Sequence, residues 1–135
     1  TDSFVMLRVF PKEGTQGKYQ ISLSKPIEDG TSMMNSIELP LGTAISGKSE
    51  SVGQETWYRV SGKKAFSILA IPDASTDVDL ELYWDANSGN SIKTSSINPA
   101  GVEEKIDYSN PFAESFVFYV KVKSKIPGQY SITFN

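Results

Sequence analysis

Apolar and polar residues alternate with a period of two along most of this chain, a pattern that fits extended strands with one buried face. Over 116–122, Phe116, Phe118, Val120 and Val122 fall on one side and Lys121 on the other. Over 77–84, Val78, Leu80, Leu82 and Trp84 alternate with Asp77, Asp79, Glu81 and Tyr83. Over 129–134, Tyr130, Ile132 and Phe134 alternate with Gln129, Ser131 and Thr133. The same reasoning places strands at 37–41, 56–61, 65–71, 91–97 and 102–108, with two more at 4–10 and 18–23. Turn-forming residues separate them at 14–17, Gly42, Gly47, Gly53, 62–64, 85–90, 98–101 and Pro127-Gly128. No window carries a 3.6-residue apolar stripe of helical length, and 31–37 offers a single helical turn. The expected fold class is all-β, an antiparallel β-sandwich of jelly-roll-like form.

Two absences narrow the chemistry. The chain has no histidine and no cysteine, so it can form no Ser-His-Asp triad, imidazole metal site, thiolate zinc site or disulfide. Its 13 basic residues are scattered against 16 acidic ones, for a net charge of −3. That balance gives no footprint for nucleic acid or for an anionic membrane surface. No apolar run approaches the roughly 18 residues of a membrane span. The chain opens on TDSFVMLRV, which reads as a processed or excised piece of a larger protein.

An internal echo bears on domain organisation. Residues 4–9 followed by 17–23 repeat the pattern of 117–122 followed by 128–134. Val5, Leu7 and Val9 correspond to Phe118, Val120 and Val122 at an offset of 113 residues. Tyr19, Ile21 and Leu23 correspond to Tyr130, Ile132 and Phe134 at an offset of 111. A repeat of one domain length implies tandem modules. Residues 1–24 are therefore read as a terminal hairpin resembling the end of a preceding repeat, packed on the sandwich with those six side chains buried. Residues 25–135 are read as one complete module.

From Pro26 onward the order of motifs resembles the bacterial pre-peptidase C-terminal domain family. An acidic lead-in, Ile27-Glu28-Asp29-Gly30-Thr31-Ser32, precedes Leu39-Pro40-Leu41-Gly42 and Ile45-Ser46-Gly47. Next come Glu55-Thr56-Trp57-Tyr58-Arg59-Val60 and Asp77-Val78-Asp79-Leu80-Glu81-Leu82-Tyr83. The ending, Phe118-Tyr119-Val120-Lys121-Val122 and then Gly128-Gln129-Tyr130-Ser131-Ile132, is similar to the family's closing strands. The resemblance implies a jelly-roll-like accessory domain, secreted and extracellular, carried by subtilisin-like serine proteases, metalloproteases or collagenases. Its partner would be the protease catalytic domain of the same parent chain, with a protein or collagen-like substrate as a second partner. The other readings of such a module are a carbohydrate-binding module and a cell-surface adhesin repeat.

Two acidic groups are candidate calcium ligands. Asp77, Asp79 and Glu81 recur at every second residue, so they share one face of a strand with neighbours about 6.5–7 Å apart. Calcium takes six to eight oxygens of this kind; a solvated face balanced by cross-strand lysines accounts for the same pattern. Glu28 and Asp29 form the second group. In calcium-binding relatives the stretch before the aromatic strand carries aspartates, where this chain has Gln54-Glu55-Thr56. Residues 85–90 look like a calcium loop but read as a hairpin turn. Tyr83 and Tyr119 point away from the core and are the candidate ligand-binding aromatics, whereas Tyr58 and Trp84 are expected inside.

No catalytic residue is assigned. The purified chain is expected to show no turnover of casein or of a peptide ester. Turnover that a point substitution within the chain abolishes would overturn this expectation.

Overall fold

The computed structural model describes residues 8–10, 13–14, 17–22, 27–61, 64–84, 91–111 and 117–135, with backbone alone for 91–95. Nine strands lie within them: β1 (Ile37–Glu38), β2 (Ile45–Ser49), β3 (Glu55–Ser61), β4 (Ala65–Pro72), β5 (Asp77–Tyr83), β6 (Ser91–Ser96), β7 (Glu104–Ser109), β8 (Val117–Ile126) and β9 (Gly128–Phe134). They form a five-stranded sheet in the order β1-β3-β8-β5-β6 and a four-stranded sheet in the order β2-β9-β4-β7. Only the short β1–β3 pair is parallel among the paired strands. The chain is an all-β sandwich, as its periodicity requires.

The core is the alternation made solid. Tyr58 and Val60 of β3, Val78, Leu80 and Leu82 of β5, and Phe118, Val120 and Val122 of β8 line the inner face of the first sheet. Phe66, Ile68 and Ala70 of β4, Ile106 of β7, and Tyr130, Ile132 and Phe134 of β9 face them from the second. The Tyr58 and Tyr130 hydroxyls meet at 3.0 Å in the interior, bridging the sheets. Burial pushes both phenols above their ordinary pKa, so each stays neutral.

Several expectations need correction. Trp84 is 43% exposed and lies beyond the end of β5, because the β5–β6 register slips between Glu81 and Tyr83 and the alternation ends there. Gly47 is inside β2 rather than in a turn. A Cβ at Gly47 would collide with the Tyr130 ring, which explains a glycine in a strand too poor in apolar residues to be read as one. The stretch 37–41 forms only two residues of strand before Pro40, which has no N–H to donate. The strands that the N-terminal segment echoes, β8 and β9, do not pair as a hairpin, because they belong to different sheets. At the N-terminus, Val9, Tyr19 and Ile21 are exposed and 17–22 carries no strand, so these residues are not packed on the sandwich. Alternation specifies a face but supplies no partner strand, and the central positions such a pattern suits are filled by β8 and β9. Val5, Leu7 and Leu23 lie outside the described residues.

Among the described residues, Glu104 is the most deeply buried carboxyl. Glu104 of β7 sits in register with Ala70, points between the sheets and is 1% exposed. Its Oε1 accepts the Asn98 N–H at 2.6 Å, while Oε2 is buried with no hydrogen-bond partner. Burial raises its pKa, and the nearby Asp79 and Asp77 add to that rise against the opposing hydrogen bonds from Ser96 and Asn98. A carboxyl raised in the folded state stabilises fully below its unfolded pKa, and that stability is lost as pH climbs through the folded pKa. Glu104→Gln is therefore expected to raise Tm at pH 7 by about 2–5 °C. The gain should fade as pH falls from the raised folded value toward the usual glutamate value of about 4.3, and be absent below it. Thermal unfolding of both proteins across pH 3.5–8 (roughly the span of carboxyl titration) checks this.

Candidate functional site

The outer face of the five-stranded sheet gathers most of the chemistry-bearing side chains. Register across β5, β8 and β3 sets them in rows: Tyr83–Tyr119–Arg59, then Glu81–Lys121–Trp57, then Asp79–Lys123–Glu55. The middle row is the anchor. The Lys121 side chain is only 11% exposed, and its Nζ stands 2.8 Å from Glu81 Oε2 and 3.3 Å from Glu55 Oε1. It also lies over the rings of Trp57 and Tyr83, at 5.7 and 5.4 Å from their centroids. Those rings contact each other at 5.1 Å and a 54° tilt. The Tyr83 hydroxyl donates to Glu81 Oε2 at 2.5 Å.

The protonation states follow. Burial alone would raise the Glu81 carboxyl, but hydrogen bonds from Lys121 and Tyr83 outweigh it and hold the group below the usual carboxylate range. Burial would lower the Lys121 ammonium, yet Glu81 and Tyr83 hold it above the ordinary lysine value. The Tyr83 phenol is raised by burial and by its bond to Glu81. All three groups keep a single charge state across the neutral range. They form a fixed electrostatic bed, unsuited to moving protons near pH 7.

Both candidate tyrosines lie on this face, with different roles. Tyr83 is 8% exposed with its hydroxyl committed, so it supports the face rather than presenting a surface. Tyr119 is half-buried beside it, and Trp57 and Arg59 share that exposure. Trp57, Arg59 and Lys121 joined the site through strand pairing. Alternation around Tyr58 and Val60 already placed Trp57 and Arg59 on the outer side, but the β3–β8–β5 order was not legible.

With Glu81 committed to Lys121 and Tyr83, the candidate calcium ligands Asp77, Asp79, Glu28 and Asp29 fall in two separate places. Glu28 pairs with Arg59 at 2.8 Å, and Arg59 also reaches Glu38 at 3.3 Å and the Ser36 carbonyl. Asp29 accepts the Thr31 N–H at 3.0 Å and the Thr31 hydroxyl at 2.7 Å, which hold its carboxyl below the usual range. Asp79 pairs through Oδ2 with Lys125 at 3.3 Å. The Oδ1 atoms of Asp77 and Asp79 are buried with no hydrogen-bond partner, the kind of oxygen an ion would satisfy. Among the described residues, however, no three acidic side chains stand close enough to hold a metal ion. The carboxylates alone supply fewer oxygens than the six to eight a calcium ion takes, a set that backbone carbonyls and water would have to complete. Residues 85–90 lie outside the described residues.

No protein-family model and no curated protein matches the sequence. Among solved structures, the chain is similar to the pre-peptidase C-terminal domain of a collagenase from Bacillus anthracis, at 14% identity and a TM-score of 0.53. The superposition covers 73% of this chain and 93% of that one. The two share a fold, and it is the fold of the family that the order of motifs resembles.

Thermal unfolding in millimolar calcium and in sodium chloride of matched ionic strength (about the level at which exposed charges are screened) is expected to give equal Tm shifts. A calcium-specific rise that Asp79→Asn removes would instead establish an ion site at the start of β5.

Proposed function

We propose that this sandwich is a non-catalytic accessory module of a secreted, extracellular protease of the subtilisin-like serine class. In this reading it binds protein substrate through the outer face of its five-stranded sheet while docked beside the catalytic domain of the same chain. The observation that carries the reading is the half-exposed Trp57–Tyr119–Arg59 surface, set on a bed that Lys121 holds rigid. The shared fold with a collagenase's accessory domain supports it. Pre-organised aromatic and arginine side chains are the groups that dominate protein recognition, because little conformational entropy is left to lose on binding. A collagen-like or gelatin strand, extended and rich in carbonyls and apolar rings, fits such a surface.

A carbohydrate-binding module would present its rings as a coplanar row. The 54° tilt between Trp57 and Tyr83, and the burial of Tyr83, disfavour that alternative.

Immobilised gelatin and a triple-helical peptide are expected to retain the chain, with Tyr119→Ala and Trp57→Ala each weakening binding by about tenfold or more. Far-ultraviolet circular dichroism should be unchanged in both variants. Retention that neither substitution alters would overturn the proposed face. Retention on cellulose or chitin in place of gelatin would favour the carbohydrate reading.

A further inference from the structure

The route from β8 to β9 changes what the N-terminal echo means. β8 is hydrogen-bonded between β3 and β5 in one sheet, and β9 between β2 and β4 in the other. Each is a central strand with a neighbour on either side. A segment written in the same pattern needs four flanking strands and two facing cores, and folding back on itself satisfies neither need. Two strands alone are marginal at best in water. In this sandwich the four neighbours are already paired to β8 and β9. The described residues show the consequence: Val9, Tyr19 and Ile21 are 45%, 73% and 53% exposed, whereas their counterparts Val122, Tyr130 and Ile132 are 2%, 3% and 0% exposed.

Gly17 gives a second, independent indication. Its counterpart Gly128 starts β9 where a Cβ would run into the Thr76 side chain, so glycine is required there. Around Gly17 no atom lies within 4 Å of the place a Cβ would occupy. This sandwich gives no reason for a glycine at 17. A sandwich of the same kind closing over it would.

We propose that residues 4–23 are the last two strands of a preceding sandwich of this same fold in the same parent chain. The exposed apolar side chains Val9, Tyr19 and Ile21 are then core residues of that preceding unit, and the protein is a tandem array. The occupant of this surface is the first seven strands of the preceding unit. The inference goes beyond the protease reading and does not depend on it.

The experiment compares this chain with one extended upstream in its natural reading frame by one repeat of 111 residues, the offset between Tyr19 and Tyr130. In this chain, the amides of 17–22 are expected to exchange at nearly unfolded rates. In the extended chain they should slow by a factor on the order of 1,000 or more. Tyr19→Ser and Ile21→Ser should move the Tm of this chain by less than about 1 °C, and lower the Tm of the preceding unit by roughly 5 °C or more. Free exchange of 17–22 in the extended chain would overturn the proposal. So would a large Tm loss from either substitution in this chain, which would mean that the segment packs on its own sandwich. Protection that rises with concentration and follows a dimer would assign the segment to a second copy and overturn it equally.

Discussion

The two sheets are tied together at the passage from β8 to β9, where Ile126, Pro127 and Gly128 carry the chain from the centre of one sheet to the centre of the other. Pro127 has no N–H and cannot extend the ladder of β8. Gly128 brings the backbone against Thr76 at a distance no side chain would allow. Once the passage is made, Val122, Val120 and Phe118 run along one wall of the core while Tyr130, Ile132 and Phe134 run along the other. Their register decides what meets inside. The Tyr58–Tyr130 hydroxyl pair forms at one level, and Phe66 meets Phe118 and Phe134 at 5.2 and 5.7 Å at another. A slip of one residue in β8 would turn its core residues outward and Lys121 inward, so the joint and the outer face are parts of one constraint.

Lys121 is where that constraint becomes a surface. Withdrawing an ammonium from water costs several kcal/mol, roughly, and proximity to a single carboxylate seldom offsets it. Here two carboxylates, a phenol and two aromatic faces share the compensation. The same cation relieves the repulsion between Glu55 and Glu81, which strand order brings to its two sides. Asp79 is balanced separately by Lys125. Two of the three carboxylates in the acidic alternation of β5, Glu81 and Asp79, thus pair with cross-strand lysines.

Legibility in the sequence followed the strength of the periodicity. β5, β8 and β9 each carry three or more large apolar residues on one face, and each was locatable to within a few residues. β2 has Ile45 as its one large apolar residue, and its glycine imitates a turn, so the physical reason for both lies in Tyr130, distant in sequence. The outer-face residues were legible as a set of directions, since alternation sends Trp57, Tyr83, Tyr119 and Lys121 outward. Their assembly was not, because it depends on β8 standing between β3 and β5. Trp84 failed for a local reason: a register slip ended the period one residue before it. The N-terminal echo was legible as a pattern of matching faces, but reading it as a hairpin assumed that strands adjacent in sequence pair with each other, and here the closing strands part into separate sheets.

The division of labour on the outer face follows from what each residue leaves behind when removed. Taking away Lys121 would strand Glu55 and Glu81 beside each other, so its loss would disturb the fold before it reported on any ligand. Tyr83 is similarly committed through Glu81. Trp57 and Tyr119 sit at the margin of this bed with part of each ring in solvent, and no buried charge depends solely on either. A surface whose rigidity comes from one set of residues and whose accessible area comes from another can change what it recognises without losing its shape. In this sandwich that separation runs within the rows themselves, since Trp57 shares a row with Lys121 and Tyr119 shares one with Tyr83.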